Sequence, residues 1–95
     1  MTLEELRARI DGIDAELIRL FAERMDVSAE IAAYKKEHGL PVLDAARERE
    51  KLRRAEELAP ETLREDVSAL FTLLFERSRR CQNRVLGRET GGEVE

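Results

Sequence analysis

The 95 residues suffice for one domain with a modest core, and 40% charged and 4% aromatic residues with two prolines and five glycines describe an all-helical chain. A formal net charge of −4 argues against nucleic acid, which requires a basic face. The N-terminal MTLEELRARI has helical periodicity rather than a basic region followed by an apolar run, and the lone Cys81 has no disulfide partner. These features exclude a secretory leader and a membrane span from the expectations and leave a cytoplasmic helical domain.

The first predicted helix runs from about Leu3 to Glu37 and sets the architecture. At alternating steps of three and four it carries Leu3, Leu6, Ile10, Ile13, Leu17, Leu20, Arg24, Val27, Ile31 and Tyr34, a coiled-coil-like seam broken only by Arg24. Thr2 suits the N-cap, Glu4 and Glu5 suit the positive end of the helix dipole, and Gly39 follows Lys35 and Lys36 as a stop signal. Gly12 costs about 1 kcal/mol relative to Ala and leaves room for a close neighbour. A helix of this length extends about 52 Å. A compact chain of this size has a radius of gyration of about 12 Å, so the rod outruns its own domain. Nothing in the sequence marks a break, and an intertwined homodimeric helical bundle is the expected solution.

Leu40-Pro41-Val42-Leu43 reads as an extended connector, because the residue before proline avoids the α region. Asp44 is the expected N-cap of a charged second helix reaching Leu58, and Ala59-Pro60 separates it from a third. The third is expected from Pro60 to Leu86, with Leu63, Val67, Leu70, Phe71, Leu74, Ser78, Cys81, Gln82 and Val85 facing inward. This reading makes residues 1–86 the helical domain and 87–95 (GRETGGEVE) a disordered tail.

Polar residues on apolar faces are the candidate site. An unpaired guanidinium in the seam costs several kcal/mol, so an anion must meet Arg24, either a ligand or a buried acid such as Glu48. Lys35 follows Arg24 by eleven residues, about three turns, and projects from the same face. Ser78 and Gln82 lie one turn apart on the inward stripe, and a buried carboxamide needs partners for both its ends. Arg7 lies about 25 Å along the rod from Arg24, beyond the reach of one small ligand within a chain. In an antiparallel dimer it would reach the partner's Arg24 region. Arg47 and Glu48 lie in the first turn after the Asp44 cap. No metal-ligand cluster, glycine-rich phosphate loop or histidine-activated nucleophile is legible. Such an interior suits a small dianion and catalysis by electrostatics and shape.

The segments LRARIDGIDAELIRLFAERM, EIAAYKK, LPVLDAARERE and FERSRRCQNR, in this order, resemble the all-helical class of chorismate mutase over about Leu3 to Leu86. The resemblance implies an intertwined dimer of three-helix chains that converts chorismate to prephenate by a [3,3] rearrangement, without cofactor, metal or covalent intermediate. It implies that Arg7 is donated in trans and that Arg7, Arg24 and Lys35 hold the two substrate carboxylates. Lys35 and Gln82 would hydrogen-bond the ether oxygen, Glu48 with the Asp44 region would receive the ring hydroxyl, and Arg47 and Ser78 would complete the carboxylate contacts. The alternatives are an isochorismate-pyruvate lyase of the same fold, disfavoured by the intact Asp44–Arg47–Glu48 run, and a non-catalytic helical dimerisation module.

Overall fold

A computed structural model describes residues 1–87. The described chain is all-helical: α1 (Leu3–His38), α2 (Ala45–Leu58) and α3 (Arg64–Val85), the last preceded by one 3₁₀ turn at Glu61–Leu63. Residues 88–95 of the expected tail lie outside the described residues.

The helix ends follow from local chemistry. At the start of α1, Glu5 N–H donates to Thr2 Oγ1 at 3.1 Å and Thr2 N–H donates back to Glu5 Oε1 at 2.7 Å, a reciprocal capping box. The backbone N–H and hydroxyl of Thr2 hold the Glu5 carboxyl below its ordinary pKa. At the other end Gly39 takes φ 65°, open to glycine without strain. There Leu40 N–H reaches back to the Lys35 carbonyl at 2.8 Å, satisfying an orphan acceptor of the last turn. Asp44 caps α2 by accepting from Arg47 N–H at 3.1 Å. Pro60, expected as the first residue of the third helix, has ψ 143° and stands before the 3₁₀ turn, so the α-helix begins only at Arg64.

The long rod stays unbroken. The described chain extends 53 Å along its principal axis with a radius of gyration of 16.6 Å, well above the compact value of about 12 Å. α3 packs against α1 on one side and α2 on the other; among the described residues α1 and α2 do not pack on each other, and a cleft lies between them. The core is small: Ala32, Ala55 and Phe75, together with the polar Ser28 and Gln82. Every residue of α1 before Arg24 is exposed. Ile10, Ile13 and Leu17 each leave more than half their surface bare, so one chain leaves its own seam uncovered.

The inward face of α3 keeps most of the expected stripe: Val67, Phe71, Leu74, Ser78 and Cys81 are half-buried and Gln82 is buried. Phe75, absent from that stripe, is its most buried apolar residue, whereas Leu63, Leu70 and Val85 are nearly half exposed. α3 packs on two neighbours at once, so its covered face is wider than one stripe, and Phe75 within it meets Phe71 edge to face with centroids 6.2 Å apart. Among the described residues no helix is long and apolar enough to cross a membrane.

Candidate active site

The cleft between the three helices has a volume of about 540 Å³. Arg24, Lys35, Asp44, Arg47, Glu48, Ser78 and Gln82 all line it. Arg7 does not. It is exposed, and the cleft lining on α1 begins at Leu20, about 20 Å further along the helix.

A polar network crosses from α1 to α3. Arg24 Nη1 donates to Ser78 Oγ at 2.5 Å, and Ser28 Oγ donates to the Ser78 carbonyl at 3.4 Å. Gln82 Nε2 donates to Ser28 Oγ at 3.2 Å, while Lys35 Nζ donates to Gln82 Oε1 at 3.1 Å and to the Val42 carbonyl at 2.6 Å. The network accounts for Gln82: a carboxamide only 7% exposed has both its ends satisfied. It also leaves unused capacity. An ammonium has three donors and a carboxamide two, so Lys35 and Gln82 each keep one N–H without a partner among the described residues.

Arg24 has no acid. Pairing with Glu48, one explanation open to the sequence, does not occur: Glu48 instead takes Arg79 Nη1 at 2.5 Å on both carboxylate oxygens. Desolvation lowers the Arg24 pKa from its ordinary value, and its partner is the neutral Ser78 hydroxyl. Five cations on the cleft wall (Arg24, Lys35, Arg47, Lys51, Arg79) face three carboxylates (Glu23, Asp44, Glu48), an excess that suits a dianion. Arg47 spends one N–H on Glu50 at 3.1 Å, an exposed ion pair of little energetic weight, and Asp44 spends one oxygen on its cap.

Three cleft residues escape a reading of the sequence. Ser28 lies one turn beyond Arg24, and its relation to Gln82 depends on how α1 meets α3. Lys51 lies one turn beyond Arg47 on the same face, a legible signal lost among the charges of α2. Its pKa is lowered by desolvation first and then by Arg47 and Arg24, and it has no acid partner among the described residues. Arg79 adjoins Ser78, and only the structure pairs it with Glu48.

The chorismate mutase type II family matches residues 6–83. A chorismate mutase of Methanocaldococcus jannaschii is 31% identical over 86 residues, covering 88% of this chain and 87% of that protein. The chain belongs to the chorismate mutase type II family. It is also 44% identical over 46 residues to the T-protein of Haemophilus influenzae, covering 48% of this chain and 12% of that much longer protein. A 4-amino-4-deoxychorismate mutase of Streptomyces venezuelae is 38% identical over 45 residues, covering 47% of this chain and 44% of that protein. No solved structure matches the chain. The chorismate mutase match begins just before Arg7 and ends just after Gln82, so it holds every cleft residue described above together with Arg7.

Proposed function

We infer that this chain is a chorismate mutase, an isomerase that rearranges chorismate to prephenate in aromatic amino acid biosynthesis. The observation that carries the reading is the desolvated Arg24, without an acid partner among the described residues, beside a half-buried Lys35 bonded to the buried Gln82, both with unused N–H donors. A [3,3] rearrangement breaks one C–O bond and forms one C–C bond in a single ring of electrons. It needs neither a nucleophile nor a proton donor, only a folded substrate and stabilisation of the charge growing on the ether oxygen.

The two substrate carboxylates fall to the cations. Arg24, with Lys35, Arg47 and the Ser78 hydroxyl, binds them in this chain, and Arg7 of the partner subunit completes the clamp. Holding both carboxylates fixes the flexible enolpyruvyl arm over the ring, which supplies orientation. The spare N–H groups of Lys35 and Gln82 face the ether oxygen and act more strongly on the transition state than on the ground state. Glu48, on the helix that Asp44 caps, receives the ring hydroxyl.

The assembly is a homodimer. Leu6, Ile10, Ile13 and Leu17 lie exposed on one seam, and each such side chain contributes about 1.5–3 kcal/mol on burial. Covering them with an antiparallel second copy brings the N-terminal part of one rod to the cleft of the other. Cys81, without a disulfide partner, fits a reducing cytoplasm.

The test is direct. Purified protein is given chorismate and, separately, isochorismate, with loss of chorismate absorbance followed and products identified. Prephenate from chorismate is the expected outcome. Pyruvate released from isochorismate alone would replace the mutase by a lyase, and a folded protein inert toward both would leave a dimerisation module.

A further inference from the structure

The carboxylate given the ring hydroxyl is already engaged. Arg79 Nη1 donates to both oxygens of Glu48 at 2.5 Å, and the two side chains, 33% and 26% exposed, share the cleft wall. We propose that Arg79 is a specificity-determining residue: by neutralising Glu48 it selects a substrate whose ring carries a neutral hydroxyl over one carrying an ammonium at that position. The proposal rests on the chorismate mutase reading of the cleft.

A solitary carboxylate on the wall would favour the ammonium, because the attraction of opposite charges adds to a hydrogen bond that the hydroxyl can also make. A carboxylate with a guanidinium on it differs. Each of its oxygens has two lone-pair positions and Arg79 occupies one, so an acceptor remains for a hydroxyl while the net charge is gone. Arg47 and Lys51, on the same wall, add further repulsion for a cation. The comparison is chemically concrete, since a relative is named for a 4-amino-4-deoxy substrate, the same skeleton with nitrogen in place of that oxygen.

The experiment measures kcat/KM for chorismate and for 4-amino-4-deoxychorismate at neutral pH with wild type, Arg79→Gln and Arg79→Lys. Wild type is expected to prefer chorismate. Arg79→Gln should move the ratio toward the amine about tenfold, the equivalent of about 1.4 kcal/mol. Arg79→Lys, which keeps the charge, should hold the wild-type ratio. Both substrates are assayed on one preparation, so a partly unfolded variant loses both constants alike and leaves the ratio intact. A ratio unchanged in Arg79→Gln, or shifted equally in both variants, overturns the proposal while wild-type turnover leaves the mutase reading standing. A wild type inert toward both substrates overturns the two together.

Discussion

The sharpest consequence of the site concerns Gln82. Replacement by Glu preserves shape in a pocket where the side chain is only 7% exposed. It exchanges the amide N–H groups for an anion 3.1 Å from Lys35 Nζ and 3.2 Å from Ser28 Oγ. Two changes follow from the geometry. The N–H left unused by Ser28 disappears, and the Lys35 ammonium is drawn to the new charge and away from the ether oxygen. At that separation the attraction is of order 5 kcal/mol for an effective dielectric of about 20, more than a growing partial charge on an ether oxygen offers. Loss of a single donor of this kind costs about 10²–10³ in kcat, and that is the expected loss at pH 8. Protonation of the carboxyl restores an O–H donor and frees Lys35. The variant should therefore gain activity as pH falls, with log kcat/KM decreasing by about one per pH unit above the apparent pKa of the new group. Wild type should show no such slope, because a carboxamide does not titrate. The assay is chorismate turnover from pH 4.5 to 8.5, with circular dichroism confirming the fold at each pH. A Gln82→Glu enzyme as active as wild type at pH 8 refutes the reasoning, as does the same slope in wild type.

Further outcomes follow from the same structure. Arg24→Leu should abolish chorismate turnover yet raise the melting temperature by a few degrees, since it removes a desolvated cation whose recorded partner is a neutral hydroxyl; an active variant contradicts the site. Arg7→Ala and Arg24→Ala should each be nearly inactive alone, but mixing equal amounts after dissociation should restore about a quarter of wild-type activity. In a two-fold dimer half the molecules are mixed and each carries one intact site; no recovery on mixing argues against donation in trans. Lys51→Met should stabilise the unliganded chain at neutral pH and raise KM for chorismate. Because the folded chain releases the Lys51 proton before the unfolded chain does, the unfolded state binds more protons between the two pKa values. Stability should therefore rise with pH across that alkaline window in wild type and lose this contribution in Lys51→Met, as read by urea denaturation.

What the amino-acid order determined by itself is the periodic and the local. The α1 seam, the Thr2 and Asp44 caps and the Gly39 stop are contacts within a turn or two of chain, so each is written in adjacent letters. The length of α1 against the volume of so short a chain already announced a rod longer than its domain. The polar interruptions at Arg24, Lys35, Ser78 and Gln82 were legible because charge and amide groups on an apolar face are costly enough to demand a reason. Only the tertiary structure decided their partners. Glu48 goes to Arg79 and not Arg24, Ser28 joins Gln82 to Ser78, and Phe75 joins the buried face of α3. These depend on the rotation of α3 between two other helices, set by the packing of many side chains at once, and a rotation of one residue changes which of two adjacent letters faces the cleft.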